Sequence, residues 1–116
     1  MKTFLAIYSG TSASMAGWDN LPEAERLERQ KKGIAAWRAW ADKHKDAIAD
    51  MGAPLGKTKG ISRSGVADIK NNMTAYSLVK AESHDAAAKM FENHPHFTIF
   101  PGESVELMEC LPIPRV

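Results

Sequence analysis

The sequence predicts an α+β fold whose elements follow one another as β-α-β-β-α-β, with one antiparallel four-stranded sheet and both helices on one face of it. Three observations carry that expectation. Residues 3–9 (TFLAIYS), 73–81 (MTAYSLVKA) and 104–111 (SVELMECL) are runs of strand length, rich in aromatic, β-branched and other apolar residues and bounded by Gly, Asn or Pro. Between the first two lies a long stretch with apolar positions at helical spacing. Between the last two, a shorter helical pattern opens after Ser83 and is stopped by Pro95.

The first strand places Phe4, Ala6 and Tyr8 on one face and Leu5 and Ile7 on the other. Neither face is polar, so both are expected to be covered. Residues 11–20 (TSASMAGWDN) are small, polar and aperiodic and read as a loop, with Trp18 anchoring it on the core. Asn20, Pro22 and Glu23 then supply an N-cap, a first-turn proline and a reciprocal cap. The helix they open is expected to reach about Met51 on a stripe of Leu27, Ile34, Trp37, Ala41, His44, Ile48 and Met51, with Glu23, Glu28, Lys31, Arg38 and Asp42 lying off it. Gly33 is its weak point, costing about 1 kcal/mol relative to Ala, and a kink is expected there. Gly52 reads as the residue that ends it.

Residues 55–61 read as an irregular edge strand, because Pro and Gly interrupt the segment. Residues 62–72 carry the turn signals Ser64-Gly65 and Asn71-Asn72 and read as the exposed connection of a hairpin. The strand at 73–81 puts Thr74, Tyr76, Leu78 and Lys80 on one face and Ala75, Ser77 and Val79 on the other. Ser83 caps the second helix, Asp85 favours its positive end, and Ala87, Met90, Phe91 and His94 recur at helical spacing. After the last strand, Pro112 and Pro114 bar simple extension. This order is the split βαβ, ferredoxin-like arrangement. Its free sheet face would carry residues such as Leu5, Ile7, Met108 and Cys110, or their alternates, too apolar to leave in water. A second copy is expected to cover it, giving a homodimer with two sheets face to face, a dimeric α/β barrel.

Composition bounds the classes of function. At 116 residues and 44% hydrophobic content, the chain is expected to be one domain, 1–116, able to hold a core without disulfides or a structural metal. Fifteen Lys and Arg against fourteen Asp and Glu leave no basic excess for a phosphate backbone, so no nucleic-acid partner is expected. No segment approaches the eighteen or so apolar residues of a membrane span, and none resembles a signal segment. The expected location is cytoplasmic, with no membrane partner. A lone Cys110 closes no intramolecular disulfide and builds no Cys-based zinc site. No cofactor and no metal site are expected.

Chemistry concentrates in His94-Pro95-His96-Phe97, where two imidazoles sit at the junction of a helix and a loop. A neutral imidazole is a base, an acid or a ligand near pH 7, which makes His94 and His96 the candidate catalytic residues. The competing reading is a helix end, where His94 is favoured by the negative pole of the dipole. Trp37 and Trp40, three apart, stand with Tyr8 and Tyr76 as the walls of an aromatic pocket between helix and sheet. Ordinary core packing is the competing reading for both tryptophans. Lys57 is a candidate cation for an anionic ligand, against a solvated strand edge. Residues 52–60 (GAPLGKTKG) lack the spacing of a phosphate loop, and Glu106 and Glu109, three apart on a strand, point to opposite faces. The binding set read here is Tyr8, Trp37, Tyr76 and Lys57.

Five segments carry a resemblance: 52–56 (GAPLG), 76–81 (YSLVKA), 83–88 (SHDAAA), 94–97 (HPHF) and 102–113 (GESVELMECLPI). Together they resemble the YCII-related family over nearly the whole chain. The resemblance implies a dimeric α/β barrel, small-molecule binding and, for some relatives, ring chemistry such as dehydrochlorination. It also implies an acid/base pair made by a His on the first helix and an Asp just before the Pro that ends the second. This sequence departs at both places, with His94 standing before Pro95 and Ala35, Ala36 and Trp37 where the helical His belongs. His44 lies further along the helix and does not take its place. The function expected is small-molecule binding, with cofactor-free lyase or isomerase chemistry run by histidine acid/base groups in a pocket between helix and sheet. The alternative is a non-catalytic dimeric interaction or sensory module, in which both histidines would be hydrogen-bonded structural residues. A cavity with convergent polar groups favours the first reading and a filled core the second.

Overall fold

Residues 1–114 are described by the computed structural model. Its main sheet is built around β1 (Lys2–Ser9), which pairs antiparallel with β5 (Met73–Ala81) on one side and β6 (Ser104–Glu109) on the other. β2 (Ile48–Pro54) lies beyond β5, so the order across the sheet is β2-β5-β1-β6 and every pairing is antiparallel. A separate hairpin, β3 (Thr58–Ser62) with β4 (Gly65–Ile69), projects between β2 and β5 in the chain. The helices are α1 (Ser12–Asp19), α2 (Glu23–Lys43), α3 (His84–Met90) and the single turn α4 (Pro95–Thr98). This is the mixed α+β class with the antiparallel sheet that the sequence predicts. Among the described residues no helix is long and apolar enough to cross a membrane.

The core follows from the register. Phe4, Ala6 and Tyr8 stand opposite Val79, Ser77 and Ala75 on one side and opposite Glu109, Leu107 and Val105 on the other. On that face Phe4, Ala6, Tyr8, Val79 and Ala81 bury against Trp40 of α2, Ala87 of α3 and Phe91 just after it. Each large side chain so buried contributes roughly 1.5–3 kcal/mol. The indole Nε1 of Trp40 donates to the Met90 carbonyl at 2.6 Å, tying α2 to the end of α3. The opposite face carries Leu5, Ile7, Tyr76, Leu78 and Met108.

Several expectations are corrected. Residues 12–19 form a helix, not a loop. Thr11 and Ser14 cap each other reciprocally, which satisfies the first amides of a helix too short and too evenly polar to show a periodic stripe. Trp18, half-buried, packs at 5.7 Å on the Phe100 ring outside the core cluster, not on the core itself. Asn20 ends this helix, and the N-cap of α2 is Pro22. α2 stops at Lys43, well short of Met51, because the His44 carbonyl takes the amides of Ala47 and Ile48 and turns the chain into β2. The spacing of His44, Ile48 and Met51 imitates a helical stripe across a strand.

Gly33 makes no break in α2. It is buried, and the Phe100 ring lies where a Cβ would be, so the glycine serves a close approach. Gly52 does not cap a helix but sits inside β2 at φ 73°, pressed on the Tyr76 carbonyl at a shift of register. The edge strand expected at 55–61 is not in the main sheet: β3 pairs only with β4, which lies in the connection expected at 62–72, and the edge beside β5 is β2, from the segment expected to be helical. The second helix ends at Met90, before Asn93 at φ 57°, and His94 begins the separate turn α4.

Candidate functional site

A cleft of about 520 Å³ opens between α2, the edge strand β2 and the helix-facing side of β1 and β5. α2 contributes Ile34, Trp37, Arg38 and Ala41, which at spacings of three, four and seven share one side of the helix. β2 contributes Met51 to Pro54, β5 contributes Thr74 to Ser77, and His96 and Phe100 close the end. Its walls are mainly apolar, and a few polar groups converge on its floor. That combination is the usual form of a small-molecule site.

The floor is a hydroxyl chain. Tyr8, fully buried, lies 3.1 Å from Ser77 Oγ, and Ser77 Oγ donates to the Met51 carbonyl at 2.8 Å. A serine hydroxyl has one hydrogen, so the Tyr8 phenol must donate to Ser77. Burial raises the phenol's pKa above its ordinary value, against the smaller opposing effect of Ser77, and Tyr8 stays neutral. The Tyr8 ring is packed at 5.0 Å from Trp37 and at 5.3 Å from both His94 and His96.

The two histidines occupy different positions. His96 lines the cleft, and its ring enters because Gly102 has no Cβ to meet it. Its Nε2 is 2.8 Å from the Ser9 carbonyl. A carbonyl only accepts, so Nε2 carries the hydrogen and Nδ1 keeps the lone pair in the neutral ring. Burial lowers the His96 pKa, partly opposed by its hydrogen bond to the Ser9 carbonyl and by the backbone at Ser104.

His94 lies behind the cleft. It is fully buried, and its Nδ1 accepts the His96 amide at 3.0 Å, acting as the N-cap of α4. An acceptor at Nδ1 leaves the hydrogen on Nε2, which finds no hydrogen-bond partner among the rings of Trp37, at 4.5 Å, and Trp40, at 4.6 Å. Burial, with lesser contributions from His96 and His44, brings the His94 pKa down to about 4. His94 is neutral at pH 7.

The remaining sequence-derived residues divide. Tyr8 and Trp37 meet at the cleft. Tyr76 borders it too, yet its register opposite Ile7 directs its side chain to the other face of the sheet. Lys57 is not brought to the cleft. It lines a separate groove of about 1040 Å³ between α1 and the base of the β3–β4 hairpin, among Lys59, Asp68 and Lys70. That groove is walled by solvated charges and lacks a buried polar floor, so the cleft at Tyr8 is the better site. Trp40 packs in the core.

Three contributors were missed: Arg38, Ser77 and Phe100. Arg38 was legible, since 34, 37, 38 and 41 form one helical side once the stripe is widened to include a position beside Trp37. Phe100 depends on a contact across the fold with Gly33 and carried no local signal. Among the described residues no three His, Cys, Asp or Glu side chains are grouped to hold a metal ion.

No family model and no curated protein sequence matches the chain. Among solved structures, a similar one is 5-chloro-2-hydroxyhydroquinone dehydrochlorinase from Burkholderia phenoliruptrix AC1100, in complex with 2,5-dihydroxybenzoquinone. The likeness covers 92% of this chain and 90% of that one at a TM-score of 0.50 and 18% identity. What the two share is a fold.

Proposed function

We propose that the chain is a small-molecule-binding protein of the dimeric α/β barrel type, and that its cleft binds a compact ring compound. The observation that carries this is the apolar cleft of about 520 Å³ in which Trp37, His96 and the Tyr8–Ser77 hydroxyl chain meet. The strand order β2-β5-β1-β6 is read as the ferredoxin-like arrangement, and the chain as a relative of the YCII-related proteins. A neighbour in fold that binds a hydroxyquinone supports the choice of a ring ligand.

In this reading the chemistry is cofactor-free proton transfer. His96, neutral with its Nδ1 lone pair available, takes a proton from a carbon beside a ligand carbonyl and returns it, as a lyase or isomerase requires. Ser9 holds the ring in that tautomer. His94 is a positioning residue, since its Nδ1 holds the amide of His96. Trp37 supplies the surface on which the ring lies, and the buried Tyr8 ring packs behind it at 5.0 Å.

The test is hydrogen–deuterium exchange at the ring carbons of 2,5-dihydroxybenzoquinone in D₂O, followed by proton NMR: the enolate carbon takes a deuteron to give a CHD group beside the carbonyl, and the base then removes the original proton. The wild type is expected to accelerate exchange, and His96→Ala to lose about 100-fold or more of that acceleration while still folding. Equal rates in the two proteins remove the catalytic role. The non-catalytic reading is favoured by one specific observation, the sealed and unreactive placing of His94. It is supported if the quinone binds and no exchange above the buffer rate is seen.

A further inference from the structure

We propose that Arg38 makes this cleft a site for planar ring acids, that is, a single aromatic or quinoid ring with one ionised oxygen at its edge set against the guanidinium. The inference rests on the small-molecule reading above and goes beyond it by naming the ligand's charge and the residue that reads it.

The argument begins with the inventory of the cleft. Among the described residues that line it, Arg38 alone carries a formal charge at neutral pH, and there is no Asp or Glu. The buried His96 is held towards its neutral form and the Tyr8 phenol is neutral, so nothing else in the site is ionised. Among the described residues Arg38 forms no ion pair, and its guanidinium makes no hydrogen bond within the chain. The cation is thus uncompensated at the edge of a largely apolar cleft.

Arg38 is exposed at the rim, and a neutral occupant of the cleft leaves its guanidinium without a partner of opposite charge. An anionic oxygen supplies that partner through a charge-assisted, potentially bidentate pair, which the planar guanidinium is shaped to make. The position of Arg38 on α2 sets the direction. It is one residue from Trp37 and four from Ile34, on the helix side that faces the cleft, so a ring lying along Trp37 presents its edge to the cation. The aliphatic stem of Arg38 completes the apolar wall while its head stays at the rim.

The test is isothermal titration of the intact protein at low ionic strength with three probes. In 2,5-dihydroxybenzoate the charge is a carboxylate, in 2,5-dihydroxybenzoquinone it is a ring enolate, and hydroquinone is uncharged. At least one acid is expected to bind about tenfold or more tightly than hydroquinone. Arg38→Gln should abolish that advantage, bringing the acids to the affinity of hydroquinone for the same variant, whereas Arg38→Lys should keep part of it. The stronger of the two acids identifies the source of the charge. Equal affinities of acids and hydroquinone for the wild type, or a loss shared by all three probes in Arg38→Gln, overturns the role of Arg38 and leaves the small-molecule reading standing. Failure of all three to bind at millimolar concentration removes both.

Discussion

His94 and His96 are two positions apart and face different surroundings, because Pro95 starts a new turn between them and sends one ring into the core and the other to the cleft. The buried, neutral His94 ties folding to acid. Its pKa is about 4 in the folded chain and about 6.5 in an unfolded one, so between those values the unfolded state takes up the proton that the folded state refuses. The stability this neutral ring provides is complete above about pH 6.5 and is lost as pH falls towards 4, on the order of 3 kcal/mol in all. Urea denaturation across that range should show the midpoint falling with pH. In His94→Asn, which keeps a cap for α4 but no imidazole, the fall should be clearly shallower; an unchanged slope would assign it to other groups. The motif was legible in the sequence, since two histidines around a proline are conspicuous. Their division of roles was not, because burial is a property of the whole fold.

At the scale of elements, glycines mark where backbones touch. Gly52 bends β2 against β5 at a positive φ, with the Tyr76 carbonyl where a side chain would begin. Gly52→Ala is therefore expected to lose about 3 kcal/mol or more of stability, from strain at φ and from the clash together. Gly17, in the exposed α1 with open space around it, is the control, where Ala should gain up to about 1 kcal/mol. Urea midpoints of both variants check the pair, and a tolerated alanine at 52 would refute the register drawn for β2. The strands at β1, β5 and β6 and most of α2 were legible, because their apolar patterns span many residues. The capping box of α1 and the change from α2 to β2 were not, since the first rests on a few polar contacts and the second on hydrogen bonds to a strand distant in sequence.

For the whole molecule, shape is the informative quantity. The radius of gyration is 16.3 Å, against about 13 Å for a compact chain of this length, and the thinnest extent is 18 Å. A sheet covered by helices on one side only, with a hairpin projecting from it, accounts for both. Its other face exposes Met108 and carries Leu5, Ile7, Tyr76 and Leu78, while Ile61 and Val66 pair on the hairpin at 77% and 66% exposure. Two-stranded hairpins are marginal when alone, and apolar sheet faces seek cover. The proposed homodimer supplies that cover. Sedimentation at micromolar concentration should give a dimer for the wild type and a folded monomer for Leu78→Asp. A monomeric wild type would leave the sheet face without the partner inferred for it.

The sequence by itself determined the α+β class, the antiparallel sheet and the strands β1, β5 and β6. Those depend on periodicity and turn chemistry, which are written locally. Only the tertiary structure decided that Lys57 stands apart from the cleft, that Arg38 and Phe100 belong to it, and that His94 is sealed behind His96. Each of those facts depends on segments far apart in the chain meeting at a particular distance. No local pattern of residues encodes where the partner segment will come to rest.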